Sequence, residues 1–130
     1  MKINRGREKS LHSERRSETF TGTVWADRVL SDPKGAVGIG SVFFEPKART
    51  YWHRHSGGQV LVVTHGQGRV RSGDGNGGVI AAGDVVHIAP GEEHWHGAEP
   101  DNYLLHLAIS LGQTEWLRAV TDEEYRQGFE

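Results

Sequence analysis

Two short stretches that contain histidines are the part of the chain best suited to chemistry. His53 and His55 are two residues apart, and so are His94 and His96. On a β-strand this spacing points both side chains of a pair to the same face of the sheet. Imidazoles that converge from two strands are a common way to bind a divalent metal ion. The spacing therefore predicts a metal site, provided that the fold brings the two strands together.

The composition limits which side chains can bind a metal ion and which classes of protein fit the chain. The chain has 130 residues, the usual size of one domain, and it has no cysteine, which leaves His, Asp, Glu and Gln as metal-binding side chains. Fifteen basic and 17 acidic residues give a net charge of −2, so there is no electrostatic reason to expect nucleic acid. No apolar run approaches the roughly 20 residues that span a bilayer, and no signal peptide is visible. We expect a cytoplasmic protein without a membrane partner.

The elements that must position these histidines are predicted to be short β-strands. Gly accounts for 18 residues and Pro for only 4, a balance typical of a chain with many tight turns. Strand-like runs recur at intervals of roughly 8 to 12 residues, which predicts an all-β sandwich or barrel. About nine runs are predicted as strands, namely 19–25, 36–44, 49–55, 59–65, 69–71, 79–82, 85–88, 94–96 and 103–110.

Glycine-rich segments are predicted to reverse the chain between these strands. Residues 66–68, Gly-Gln-Gly, read as a turn, and residues 73–78 contain the Asp-Gly and Asn-Gly pairs that are typical of β-hairpins. Within the last predicted strand, alternation places His106 on one face, and it would point into a barrel whose interior is lined by that face.

The two ends of the chain differ from the middle. Residues 1–18 are polar and dense in charges of both signs, so we expect a solvated or partner-supported arm. In the C-terminal segment, residues 113–130, Thr121 and Glu124 form a capping box that predicts the start of a short helix. Three apolar residues before it have the spacing of a helical turn that would pack on the barrel, namely Trp116, Leu117 and Val120.

The histidine stretches resemble the two sequence motifs of the cupin family. His53-x-His55-x-x-x-Gln59 is similar to the first motif, which usually carries Glu where this chain has Gln59. Residues 83–94, which run from Gly-Asp to Ala-Pro-Gly-Glu-Glu-His, are similar to the second motif, with Ala89 where a proline is usual. Both motifs occur in the expected order with a short segment between them, which makes the resemblance specific.

This resemblance covers residues 20–112 and implies an all-β fold, a small jelly-roll β-barrel with one metal ion in its mouth. It implies a cupin domain over residues 19–112, between the charged arm, 1–18, and the C-terminal segment, 113–130, whose short helix packs on the barrel. Because jelly-roll edges and an apolar, Trp-bearing face need to be covered, we also expect a homodimer or a homotetramer.

Further segments are similar to the bacterial single-domain cupins that include manganese-dependent hydroxynitrile lyases. These segments are 20–24, 44–46, 48–50, 91–98, 106–109 and 120–123. The resemblance implies His53, His55, His94 and Gln59 as metal ligands, since Gln is the usual fourth ligand in that group. It implies manganese first and iron second, while nitrogen and oxygen ligands without thiolate also suit Ni, Co or Zn.

The same resemblance places His96, His106 and Thr50 around the active-site cavity. An imidazole is the side chain best able to exchange a proton near neutral pH, so His96 or His106 would move a proton while the metal holds a substrate oxygen. His96 is also a candidate for a fifth ligand or for a residue that orients a ligand. Each of these two histidines has the alternative role of a hydrogen-bonded core residue.

Three functions fit these residues. The first is a metal-dependent enzyme that acts on a small hydroxyl- or carbonyl-bearing molecule, in its sharpest form a hydroxynitrile lyase that cleaves or forms the C–C bond of a cyanohydrin. The second is a dioxygenase that uses iron or another redox metal to cleave a diketone or a flavonol. The third is a cupin that binds a metabolite without turnover. The first two share their ligands, so the sequence separates them poorly.

Overall fold

The structure, a computed structural model, describes residues 1–5 and 12–129. This part of the chain contains twelve β-strands and one short α-helix. The strands form a nearly closed barrel, which confirms the all-β prediction. The elements are β1 (Glu14–Arg16), β2 (Phe20–Thr21), β3 (Val24–Ser31), β4 (Val37–Phe44), β5 (Arg49–Thr50), β6 (His53–His55), β7 (Gln59–Ser72), β8 (Gly77–Ala81), β9 (Val85–Ile88), β10 (His94–Ala98), β11 (Leu104–Leu111), β12 (Thr114–Trp116) and α1 (Asp122–Arg126). Within the described residues, no helix has the length and apolar character needed to cross a membrane.

The strands belong to two sheets that share one long strand. In the first sheet the order is β1-β3-β4-β11-β7-β9. In the second sheet β7 continues between β8 and β10, and β10 leads on to β5 and β2. β10 also pairs with β6, which in turn pairs with β12. All these pairs are antiparallel, so each sheet can turn one face towards a shared core.

The chain reversal predicted around Gly66 is wrong, because β7 is continuous through this residue. Gly66 has a φ of 81°, and a Cβ atom at this position would overlap the carbonyl oxygen of Tyr103. The pairing of β7 with β11 also shifts its register between Leu105 and His106. The glycine therefore permits a bend that carries one strand from the first sheet into the second.

The N-terminal part of the barrel has pairings that the local sequence pattern did not show. The single strand predicted over 19–25 is two strands, β2 and the start of β3, separated by Gly22, whose φ is 83°. β1 pairs with β3, with Arg15 opposite Trp25, so this part of the predicted arm lies along a sheet. Residues 6–11 of the arm lie outside the described residues.

Two local predictions near the hairpin and the helix are confirmed. Residues 73–78 contain the turn that joins β7 to β8. The Thr121 hydroxyl accepts a hydrogen bond from the Glu124 N–H, and the Glu124 carboxylate accepts one from the Thr121 N–H. This reciprocal capping box begins α1 where the sequence pattern placed it.

The helical turn predicted at Trp116 is wrong. Trp116 lies in β12, with its Cα opposite that of His53 in β6. Strand β6 offers backbone partners from a distant part of the chain, and these decide the conformation of residues 114–116. Spacing along the sequence does not reveal such partners.

Two clusters of buried side chains hold the barrel together. The larger cluster comes from strands of both sheets and from Ala48 just before β5, and it contains Val24, Phe44, Ala48, Val63, Val70, Ile80, Ala98 and Leu104. The smaller cluster contains Trp52, Trp95, Val120 and Tyr125, and it packs the C-terminal segment on the barrel. Trp52 and Trp95 are chain neighbours of the site histidines, so strand alternation sends their side chains away from those of the histidines.

Candidate metal centre

Strand pairing brings the two histidine stretches together. β6 and β10 are antiparallel neighbours, and the Cα of His53 lies opposite that of His94. The side chains of His53, His94 and His96 are buried, and one ring nitrogen from each lies within 4.8 Å of the other two. This three-histidine site could hold a metal ion.

Backbone carbonyl groups orient two of these rings. His53 Nδ1 lies 2.8 Å from the carbonyl oxygen of Tyr51, and His94 Nδ1 lies 2.8 Å from the carbonyl oxygen of Glu92. A carbonyl oxygen only accepts hydrogen bonds, so Nδ1 is the nitrogen that donates in both rings. In a neutral ring Nε2 then presents a lone pair, which is the form of histidine that binds metal ions.

His94 and Gln59 meet through two atoms that both accept hydrogen bonds. His94 Nε2 lies 2.9 Å from Gln59 Oε1, while Gln59 Nε2 donates to Ser110 Oγ over 3.0 Å. Since the proton of neutral His94 is on Nδ1, there is no hydrogen between the first two atoms. Two ligands bonded to one ion at about 2.1 Å and at a right angle are roughly 3 Å apart. The donor atoms and their spacing therefore fit a metal ion.

His55 lies beside this group. Its ring centroid is 5.0 Å from that of His53 and 5.6 Å from that of His94, although its nitrogens fall outside the set of three that lie within 4.8 Å. His55 Nδ1 is 2.9 Å from Thr114 Oγ1, and His55 Nε2 is buried without a hydrogen-bond partner among the described residues. A buried polar atom without a partner is unfavourable, so this nitrogen also fits a ligand role.

A second pair of histidines adjoins the site. His106 Nε2 lies 3.0 Å from His96 Nδ1, and both side chains are buried. Between two neutral rings, one of these nitrogens carries the hydrogen and the other accepts it. His96 Nε2 and His106 Nδ1 have no partner in the part of the chain that the structure describes. Because its side chain is fully buried, His106 lies inside the barrel. The two histidines are close enough to share or transfer a proton.

Burial keeps all five histidines neutral. Desolvation, strengthened by repulsion from neighbouring histidines, holds the pKa of His53 and of His96 well below the usual 6.5. Burial lowers the pKa of His55 and of His106 to about 4. It also lowers the pKa of His94, against a smaller opposing effect of the Glu92 carbonyl group. Near neutral pH these rings are uncharged, as a metal ligand or a base must be.

The site opens into a cavity of about 770 Å³, a volume typical of small-molecule sites. Its wall includes Thr50, whose hydroxyl oxygen accepts a hydrogen bond from the backbone N–H of His96 over 3.2 Å. The cavity thus has the histidines at one end, an apolar part of its wall, and charged side chains elsewhere in the wall, namely Arg15, Arg16, Glu18, Asp27 and Arg28. The apolar part of the wall comes from Phe20, Ile39, Val42, Phe44 and Ala108.

Strand β12 contributes two site residues that the sequence analysis missed. Thr114 contacts His55, and the ring of Trp116 lies 4.6 Å from that of His53. Both residues line the cavity. The pairing of β12 with β6 places them there, and no local motif signals this pairing.

This fold and this arrangement of histidines are those of a cupin. The family model described as Cupin domain matches residues 40–109, more than half of the chain, and the chain belongs to this family. The chain is also 46% identical over 116 residues to an (R)-mandelonitrile lyase from Granulicella tundricola, a match that covers 85% of this chain and 88% of that protein.

Solved structures show the same relationship. A cupin-like protein from Thermotoga maritima is 44% identical, with a TM-score of 0.82, over 87% of this chain and 90% of its own. The polyketide cyclase RemF from Streptomyces resistomycificus is 18% identical, with a TM-score of 0.72, over 96% of this chain and 92% of its own. The second likeness shows a shared fold alone.

Proposed function

We propose that this protein is a metal-dependent hydroxynitrile lyase, which splits a cyanohydrin into a carbonyl compound and hydrogen cyanide and catalyses the reverse addition. One observation carries the proposal, namely the 46% identity over 85% of the chain with a protein named (R)-mandelonitrile lyase. The buried histidines support it, because they supply both donors for a metal and a pair of neutral imidazoles.

Four side chains would hold the ion, with manganese as the first candidate and iron as the second. They are His53, His55, Gln59 and His94. His96, which has a ring nitrogen within 4.8 Å of those of His53 and His94, is left for proton transfer because its Nδ1 faces His106, whereas His55 has a buried Nε2 without a partner among the described residues. When bound, the ion would supply a positive charge that polarises the substrate oxygen. Gln59 is neutral, so these four side chains together bring no negative charge to the site. Such a set of residues favours a substrate whose hydroxyl group becomes deprotonated.

His96 is the proposed base. Its Nε2 would accept the hydroxyl proton of the cyanohydrin, while its Nδ1 donates to His106 Nε2 across the observed 3.0 Å. The bond to the nitrile carbon then breaks, its electron pair leaves with cyanide, and the carbonyl double bond forms. His96 returns the proton to cyanide, which departs as hydrogen cyanide. His106 stabilises the charged state of His96 by accepting its second hydrogen bond.

Thr50 and the apolar wall would assist in different ways. Thr50 is buried and accepts a hydrogen bond from the backbone N–H of His96, so it would fix the position of the base in the cavity. Val42 and Phe44 exclude water from the reacting atoms, and a lower local polarity strengthens the interactions among the remaining charges.

We also propose that the protein acts as a homodimer or a homotetramer in the cytoplasm. Val79 and Val85 are exposed apolar side chains, and β1 and β2 end the path of paired strands. Strand edges and apolar surface of this kind are commonly covered by another subunit. Light scattering coupled to size-exclusion chromatography should give the mass of two or four chains, and a monomeric mass would contradict this.

Release of cyanide from mandelonitrile tests the reaction. Manganese-loaded protein should release cyanide faster than the uncatalysed reaction, and chelator-treated protein should not. Elemental analysis should find metal in the wild type and in His87→Ala, which changes an exposed histidine, but not in His53→Ala. A metal-loaded protein that releases no cyanide excludes the lyase. Oxygen uptake by iron-loaded protein with diketones or flavonols would instead favour a dioxygenase.

A further inference from the structure

Trp116 is a large apolar side chain that remains 39% exposed in the wall of the cavity. Its ring lies 4.6 Å from that of His53 at an interplanar angle of 33°, and 5.6 Å from that of Phe20. The ring of Phe20 lies 6.3 Å from that of Phe44. Trp116, Phe20 and Phe44 therefore form a continuous aromatic wall that begins beside a histidine of the candidate metal centre.

The backbone holds Trp116 rigidly in this wall. β12 pairs with β6 along its whole length, with Trp116 opposite His53. Just beyond the strand, the Trp52 N–H donates to the carbonyl oxygen of Arg118 over 2.8 Å. The side chains of Arg54 and Glu115 add two hydrogen bonds of 2.9 Å and 3.1 Å. Because the ring of Trp116 also packs against those of His53 and Phe20, it is preorganised, and little conformational freedom is lost when a ligand packs on it.

The exposed face of the Trp116 ring favours flat, apolar ligands. A flat apolar ligand that covers it removes apolar surface from water, and an aromatic ligand adds a favourable ring–ring geometry. His53 lies beside the indole, so a ring that packs on Trp116 would place its substituents next to the candidate metal centre. The wall is thus placed to bind the ring of a molecule whose oxygen reacts among the histidines.

We propose that the aromatic wall is the subsite for the aryl ring of the substrate, and that Trp116 makes the protein prefer aryl cyanohydrins to short aliphatic ones. This rests on the proposed function for the reaction itself. The recognition of an aromatic ring rests on the geometry of Trp116 and Phe20.

A substitution series with two substrates tests the subsite. Trp116→Leu should lower kcat/KM for mandelonitrile about three- to tenfold, mainly through KM, because ring–ring contacts contribute on this scale. It should leave kcat/KM for the cyanohydrin of propanal, which has no ring, within about twofold, and Trp116→Phe should restore most of the loss. Trp25→Leu is the matched control, since Trp25 is also 39% exposed but does not line this cavity.

The ratio of the two substrates separates ring binding from damage to the metal centre. A loss of metal reduces the turnover of both cyanohydrins alike, and elemental analysis of each variant measures it directly. An equal loss with both substrates, or an equal effect of Trp25→Leu on mandelonitrile, overturns the assignment of Trp116.

Binding of benzaldehyde distinguishes failure of the subsite from failure of the proposed reaction. Chemical-shift titration of the wild type should show benzaldehyde binding that Trp116→Leu weakens and Trp25→Leu leaves unchanged. This result supports the subsite even in a protein that releases no cyanide, in which case the lyase alone fails. If the enzyme is active but Trp116→Leu changes neither benzaldehyde binding nor the ratio of the two substrates, the subsite is rejected and the lyase function stands.

Discussion

His106 Nε2 lies 3.0 Å from His96 Nδ1 in the interior of the barrel, and the two residues come from strands of different sheets. Burial lowers the pKa of both rings, so both are neutral near pH 7. The pair shares one hydrogen between two nitrogens, and a proton gained at the free nitrogen of His96 changes the hydrogen bond to His106. The two histidines should therefore act as one unit.

Substitution of either histidine should show this coupling. We expect His96→Ala and His106→Ala each to lower kcat for mandelonitrile about 100-fold, the usual scale of acid–base catalysis, with the metal content unchanged. The double variant should lose little more than either single variant, because residues that act together are not additive. His65→Ala, an exposed histidine of β7, is the control and should behave like the wild type. Fully additive losses would show that the two rings act independently.

Gln59→Glu should separate metal affinity from turnover. A carboxylate in place of the amide adds a negative charge next to the proposed ion, so we expect metal to be retained about tenfold more tightly in competition with a chelator. The same charge should lower kcat, because it offsets the positive charge that a deprotonated substrate oxygen needs. Gln67→Glu makes the same change at an exposed position of β7 and should alter neither quantity. A faster Gln59→Glu enzyme contradicts this view of the site.

Gly66→Ala should destabilise the fold strongly. The residue has a φ of 81°, and the added methyl group would overlap the carbonyl oxygen of Tyr103. We expect the free energy of unfolding to fall by at least about 2 kcal/mol, since a strained backbone and a steric clash act together. Gly78→Ala meets nothing within 4 Å and should stay within about 0.5 kcal/mol of the wild type. Urea denaturation of both variants measures the difference, and equal stabilities would refute the bend at Gly66.

The metal-free protein should lose stability as the pH falls from about 6.5 to about 4. Burial lowers the pKa of His106 from 6.5 to about 4, so the unfolded chain binds a proton in this range that the folded chain does not. The stability due to neutral His106 is thus complete above pH 6.5 and is lost towards pH 4. The difference corresponds to about 3 kcal/mol for this residue. Urea denaturation across this range should show a smaller pH dependence for His106→Ala than for His65→Ala, and identical slopes would contradict the prediction.

Most of the correct predictions depend on interactions between residues that are close together in the chain. The capping box of Thr121 and Glu124 depends on atoms three residues apart, and it occurs as expected. The Asp-Gly and Asn-Gly pairs produced their hairpin for the same reason. Strand alternation placed His106 inside the barrel, although the ligand roles of His53, His55, Gln59 and His94 stay predictions.

Contacts between distant residues explain the errors. Glycine at position 66 is compatible with a turn and with a bend, and only the neighbouring β11 decides between them. Trp116 and the apolar residues after it have the spacing of a helix, but residues 114–116 pair with the free edge of β6 and therefore form a strand. In both places the local pattern allows two conformations, and the free energy of long-range backbone pairing selects one.

The sequence by itself determined the family, the all-β class and the identity of the histidines, because these depend on residue types and short spacings. Only the tertiary structure decided which atoms meet. It placed the acceptor of Gln59 against His94, joined His96 to His106, and brought Trp116 beside His53. The physical reason is that each of these contacts joins residues of different strands, so it forms only when the two sheets share β7 and close around one core.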